Sequence, residues 1–175
     1  MNNLNIKLLS DNATIPTRAY GVSAGLDIYS AETVVIEPQE KILLATDIAV
    51  DIPEGYVGLL TSRSGVSSKT HLVVETGKID AGYQGHMKIN VKNDEPFFRT
   101  VNIQDFDLNG EMIRQIINDR DTKPFEFNNR YQINKGDRLA QLVIVPIWTP
   151  ELEPVEEFES ETARGQNGFG SSGTR

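Results

Sequence analysis

The chain contains no cysteine, which excludes disulfides, thiolate zinc sites and a cysteine nucleophile. Histidine is nearly absent too, His71 and His86 being the whole complement, so a multi-histidine metal cluster is not expected. A metal here should be a hard cation held by carboxylate, water and substrate oxygens, which favours Mg2+. Positive charge is also scarce: 17 Lys and Arg stand against 25 Asp and Glu, for a net charge of −8. That argues against general nucleic-acid binding but leaves room for a small polyphosphate that brings its own cation. No apolar run reaches the length of a membrane span, and the amino terminus lacks a signal-peptide layout. No membrane partner is expected, and the expected compartment is the cytoplasm.

What is present is alternation. At 175 residues the chain suits one domain, or one domain with an elaboration. Its hydrophobic content of 38% is slightly low, as expected if part of the surface is buried only on assembly. From Lys41 to Ile52, Ile42, Leu44, Ile48, Val50 and Ile52 recur at even spacing, the mark of a half-buried strand. Similar segments lie at Leu4–Leu9, Thr33–Ile36, Tyr56–Leu60, His71–Glu75, Met87–Val91 and Leu139–Ile147, separated by Gly, Pro and Asp turn signals. Many short strands with punctuated turns predict an all-β barrel or sandwich over residues 1–149. The run from Leu139 to Trp148 is nearly all apolar, so it should be buried on both faces, or on one by a subunit partner.

Residues 94–130 interrupt the alternation and hold Phe97, Phe98, Phe106, Phe125 and Phe127. Within them Leu108, Met112, Ile113, Ile116 and Ile117 repeat at helical spacing behind Asn109, a plausible N-cap. The expectation is a small amphipathic helix in an aromatic insertion, serving either as a lid on its own barrel or as a partner surface. Residues 150–163 form an acidic, proline-containing linker. The last twelve residues, 164–175, are rich in Gly and Ser around Phe169. By composition they read as a frayed end, or as an arm able to clasp an anion and stack on a base.

Four further constellations carry chemistry. Asp27, in Ala24-Gly25-Leu26-Asp27, reads as a turn carboxylate or a magnesium anchor. Arg63, Ser64 and Gly65 stand at a strand-to-helix junction, where guanidinium, hydroxyl and free amide suit an anion; simple capping by Ser64 is the alternative. Asp80, in a glycine-flanked hairpin with Tyr83 across the turn, is an ordinary turn residue or a carboxylate rigid enough to deprotonate water. Gln141 opens the most apolar strand and donates either to phosphate or to buried backbone.

Together and in this order, these four motifs and the tail resemble the five motifs of the trimeric deoxyuridine triphosphate nucleotidohydrolases (dUTPases), in their bacteriophage-encoded form. The resemblance runs from about Ala24 to Gly173. It implies a homotrimeric, jelly-roll-like β-barrel, located in the host cytoplasm, that hydrolyses dUTP to dUMP and pyrophosphate with Mg2+. By position, Asp27 would hold Mg2+ through water, Arg63, Ser64, Gly65 and Gln141 would contact phosphates, and Asp80 would activate the attacking water. Tyr83 would lie under the deoxyribose, while Ile79 and Lys88 would fall where backbone reads the uracil edge. Arg164, Gly168, Phe169, Gly170, Ser171 and Ser172 would close over the nucleotide. Two departures stand out. Val74 occupies the position of an asparagine common in the family, and the span from Asp80 to Gln141 is about twice the family's. Some phage members with extra sequence here bind a repressor protein of a mobile genetic element, which makes residues 94–130 a candidate for the same role. The competing readings are a dCTP deaminase-type enzyme and a nucleotide-sensing regulatory protein on the same fold.

Overall fold

In the computed structural model, residues 3–99, 102–117, 127–160, 162 and 165–166 are described. Among them the chain forms the strands β1 (Asn5–Leu8), β2 (Leu26–Tyr29), β3 (Val34–Ile36), β4 (Lys41–Asp51) and β5 (Tyr56–Ser62). One short helix, α1 (Ser64–Lys69), precedes β6 (Leu72–Val74), β7 (Gly77–Asp80) and β8 (Met87–Asn93). The chain then continues through β9 (Ile103–Phe106), β10 (Met112–Ile116), β11 (Asn128–Ile133) and β12 (Arg138–Pro146). The strands make three four-stranded sheets in the orders β1-β4-β8-β6, β10-β9-β11-β3 and β2-β12-β5-β7. The expected all-β, jelly-roll-like architecture is what forms.

The core follows from the alternation. Leu44, Ile48, Val50 and Ile52 point inward, joined by Ile28, Leu60, Met87, Ile89, Val91, Leu139 and Leu142 from other strands. Each such side chain contributes about 1.5–3 kcal/mol on leaving water. Within β4 the ladder slips between Ala45 and Ile48, and Asp47 adopts φ 52°. His86 belongs to this bulge: its Nε2 accepts from the Asp47 amide at 2.9 Å. β12 is a central strand, paired on one edge by β2 and on the other by β5. Leu139, Ala140 and Leu142 are buried, Val143–Val145 are half-buried, and Ile147 and Trp148 are exposed.

The amphipathic helix expected in the insertion is not what its described residues form. β9 and β10 make an antiparallel hairpin instead, and residues 118–126 lie outside the described set. The reason is local. Asn109-Gly110 is a strong hairpin signal, and Gly110 adopts φ +74°, which a side chain disfavours. Asp107 Oδ1 accepts from the Asn109 and Glu111 amides at 2.8 and 2.9 Å, which fixes the turn. Met112, Ile113 and Ile116 therefore occupy an exposed edge strand, and the apparent helical spacing reflects no buried face. Of the aromatics, Phe106 packs on the core beside Tyr131, ring centroids 5.9 Å apart, while Phe97 is exposed. The hairpin thus combines a face on its own barrel with an edge open to solvent.

What fixes the insertion is a buried carboxylate. β9 runs parallel to β11, and Asp105 on β9 is 2% exposed. It accepts from Arg130 Nε at 2.6 Å and Nη2 at 3.0 Å, and from Arg114 Nε at 2.7 Å. Arg130 Nη1 also donates to Glu37 at 3.0 Å. Burial alone would raise the Asp105 carboxyl, but the hydrogen bonds and charges of Arg130 and Arg114 outweigh it and hold the group below its ordinary 3.8. A carboxyl lowered on folding stabilises above its unfolded pKa, and that contribution is lost as pH falls through the folded value. Asp105→Asn should therefore lower stability at neutral pH by about 3 kcal/mol, since it strands two guanidiniums. The gap between wild type and variant should narrow below about pH 4. Calorimetric melting from pH 7 to pH 3 checks both; equal melting temperatures at pH 7 would dismiss the clamp.

Candidate active site

Two separate clusters carry the residues singled out by sequence. The first surrounds Asp27, which sits in the middle of β2 with only 1% exposure. β2 lies beside β12 so that Asp27 faces Gln141, and β12 in turn sets Gln141 opposite Thr61. β5 then ends at Ser62, and the chain enters α1 through Arg63 in an extended conformation (φ −77°, ψ 137°). Arg63 Nε donates to Asp27 Oδ1 at 2.9 Å, and Arg63 Nη1 donates to the Arg138 carbonyl at 3.2 Å. Arg138 Nη1 donates to Asp27 Oδ2 at 3.2 Å. A single buried carboxylate therefore holds both arginines. Ser64 is the first residue of α1 rather than its cap, and no side chain caps that helix.

Gln141 is explained by Gly25. A Cβ at Gly25 would lie 2.7 Å from Gln141 Oε1 and 3.0 Å from its Cβ, so the glycine leaves the amide its place. Around this cluster lies an open cavity of about 340 Å³, lined by Arg63, Gly65, Lys69 and Arg138, with Leu108 and Asn109 from the insertion. Arg138 and Lys69 were not singled out by sequence, and Asn109 only as a helix cap. Arg138 could have been, as a cation three residues before Gln141 on the same strand. The Asn109 position required the hairpin.

The second cluster lies elsewhere. β7 pairs with β5 so that Asp80 is opposite Val57 and Ile79 opposite Gly58. Arg63 is six positions beyond Val57, or about 20 Å of extended chain. One copy of the chain therefore does not bring Asp80 to Arg63. Asp80 starts a tight turn in which its carbonyl accepts from the Tyr83 amide at 3.2 Å and Gly82 has φ +84°. The Tyr83 hydroxyl donates to the His86 carbonyl at 3.2 Å. Its ring passes over Gly85, where a Cβ would meet the Tyr83 oxygen at 2.6 Å. Lys88 is exposed on β8, opposite Ala45. Val74 is buried and paired with Val91, so it is a core side chain. Arg164, Gly168, Phe169, Gly170, Ser171 and Ser172 lie outside the described residues.

The dUTPase family model matches residues 11–119 and 108–173. Curated relatives include the probable deoxyuridine 5'-triphosphate nucleotidohydrolase of Schizosaccharomyces pombe, 34% identical over 96% of both chains. The corresponding Mycobacterium marinum enzyme is also 34% identical, over 98% of this chain and 96% of its own. The chain belongs to the dUTPase family.

Among solved structures, the dUTPase of Staphylococcus bacteriophage 80alpha with dUpNHpp superposes with a TM-score of 0.87, at 57% identity over 99% of both chains. That phage protein is described as controlling transfer of virulence genes by a G protein-like mechanism. The dUTPase from phage phi11 of S. aureus, noted for its species-specific insert, gives a TM-score of 0.80 at 59% identity, over 91% of this chain and 100% of its own. The chain is accordingly a dUTP-hydrolysing enzyme of the phage type, with Mg2+ as cofactor.

The residues present fit a cation that arrives on its substrate. Both Asp27 oxygens are engaged by guanidinium groups, and among the described residues no three His, Asp or Glu side chains converge. Mg2+ commonly keeps several waters and is bound by substrate phosphates with few carboxylates, and this donor set suits that habit. One steric consequence is testable. Gly25→Ala should displace the Gln141 side chain and lower kcat/KM for dUTP about tenfold, the worth of one hydrogen bond to a charged group. Steady-state kinetics checks it, and unchanged kcat/KM would remove Gln141 from the site.

Proposed function

We propose that this dUTPase is a homotrimer whose active sites each combine the Asp27–Arg63–Gln141 cluster of one copy with the Asp80–Tyr83 hairpin of another. The observation that carries the reading is the separation of Asp80 from Arg63 along β5, about 20 Å, in a family whose chemistry needs both. Exposed apolar side chains support assembly: Trp148 is 87% exposed and Leu152 92%, on a segment with neither strand nor helix over residues 150–160. Because the repeated contact joins different surfaces and closes after three copies, it is heterologous.

In this site Arg63, Ser64, Gly65 and Gln141 bind the triphosphate, and Asp27 orients Arg63 and would hold Mg2+ through water. When bound, Mg2+ supplies neutralisation of the charge that gathers on the leaving pyrophosphate. Asp80 accepts a proton from water as the water oxygen bonds to the α-phosphorus, and the bond from that phosphorus to the bridging oxygen breaks to release pyrophosphate. Tyr83 packs under the deoxyribose, and the backbone at Ile79 and Lys88 reads the uracil edge. Arg164, Gly168, Phe169, Gly170, Ser171 and Ser172 close over the nucleotide and exclude water. The reaction takes place in the host cytoplasm.

Complementation tests the composite site. Asp80→Asn should bind dUTP but lose about a hundred- to ten-thousand-fold in turnover, and Arg63→Ala should also be nearly inactive. Refolded together at equal ratio, the two should recover about one quarter of wild-type activity, because only sites pairing an intact Arg63 with an intact Asp80 work. Mixed trimers without recovery would end the proposal.

A second role is supported by the insertion. Met112, Ile113, Ile116 and Ile117 are exposed on or beside an edge strand, and such edges invite pairing with another chain. Residues 94–130 are thus the surface for a repressor protein of a mobile genetic element. Ile116→Asp should abolish capture of a purified repressor while dUTP hydrolysis is kept; undiminished capture would place the contact elsewhere.

A further inference from the structure

The insertion reaches the phosphate cavity. Leu108 and Asn109, at the tip of the β9–β10 hairpin, line it together with Arg63, Gly65, Lys69 and Arg138. The tip is held against α1 at Lys69. Gly110 comes so close that a Cβ there would collide with the Lys69 carbonyl oxygen, and its φ of +74° disfavours any side chain. The turn is itself rigid, with the Asp107 carboxylate accepting from the Asn109 amide at 2.8 Å, the Glu111 amide at 2.9 Å and Asn109 Nδ2 at 3.1 Å. Burial would raise the Asp107 carboxyl, but these hydrogen bonds and the charge of Lys69 outweigh it and keep it low.

The three cations of the cavity are not equivalent. Arg63 and Arg138 both direct guanidinium nitrogens to Asp27. Asp137, the acidic residue of the lining, is occupied by the Asn134 amide at 2.8 Å. Among the described residues, the Lys69 ammonium makes no hydrogen bond or ion pair, and Asp107 acts on it only through longer-range charge. A cavity that takes a tetra-anionic tail beside Arg63 therefore holds one cation not already committed. Its backbone is fixed by the insertion, while a compact ammonium on a flexible stem can follow a phosphate.

We infer that Lys69 is a further phosphate-binding residue of this dUTPase, and that the insertion's hairpin tip is a wall of the substrate site that positions it. This rests on the assignment of Arg63 to the triphosphate. The ligand feature recognised is the terminal part of the polyphosphate, not the base or sugar.

Lys69 is exposed, so Lys69→Met should fold normally. Affinity for the non-hydrolysable α,β-imido-dUTP should fall about tenfold, as for loss of a charge-assisted contact to phosphate, while affinity for dUMP stays within twofold. Lys69→Arg should recover most of the loss, and Gly110→Ala, which forces the tip off α1, should weaken imido-dUTP binding in the same selective way. Titration calorimetry with both nucleotides reads all four. Imido-dUTP affinity within twofold of wild type in Lys69→Met would overturn the inference, as would an equal loss for dUMP, which marks a merely structural effect. If Arg63→Ala leaves imido-dUTP binding intact, it is the underlying site assignment that fails.

Discussion

A carboxylate with 1% exposure sets the terms for everything near it. Left alone, the Asp27 charge would cost several kcal/mol to bury, so the chain must bring it compensation. It does so from two distant places, Arg63 at the end of β5 and Arg138 at the start of β12. Neither arginine can reach unless β2, β12 and β5 are neighbours in the observed register. The charge demand and the sheet order are therefore one constraint. Its by-product is a pair of guanidiniums fixed at the rim of an open cavity, with Gln141 seated over a glycine beside them. Preorganisation of this kind is what electrostatic stabilisation of a polyphosphate requires.

The same device appears a second time with a different outcome. Asp105 is also buried and also shared by two arginines, Arg114 and Arg130. There the guanidiniums close on the carboxylate, and Arg130 extends to Glu37, so the cluster clasps β9 and β10 to the barrel. The arginines of Asp27 line a cavity, where those of Asp105 tie strands together, and that difference in surroundings separates a site from a rivet.

Much of this was legible in the chain. Even spacing of Ile42, Leu44, Ile48 and Val50 showed β4, and the apolar run Leu139–Ile147 showed β12, whose Leu139, Ala140 and Leu142 are buried. Arg63-Ser64-Gly65 stood out because guanidinium, hydroxyl and free amide meet at a strand-to-helix junction, which suits an anion. The hairpin of β9 and β10 was misread because Met112, Ile113, Ile116 and Ile117 mimic a helical stripe, although Asn109-Gly110 carried the contrary signal. An exposed edge strand imposes no period on its side chains, so periodicity had nothing true to report. Arg138 was passed over for another reason. Its partner Asp27 is 111 positions away, and no local rule connects them.

An insertion of this length is tolerated because of where the chain re-enters. β9 leaves the barrel and β11 returns parallel to it, so β11 pairs with β3 as if nothing had intervened. β12 then starts in the register that Asp27 requires. Loop-closure entropy grows only logarithmically with length, and the Asp105 clamp offsets part of it. The hairpin is then free to carry a second surface at its edge, while its tip rests on α1 beside the cavity. Gly110 makes that seating close, since any larger residue would hold the tip away from the Lys69 carbonyl. Two of the contacts that join the extra sequence to the barrel thus differ in character, one a buried ion cluster and the other a close approach that Gly110 permits.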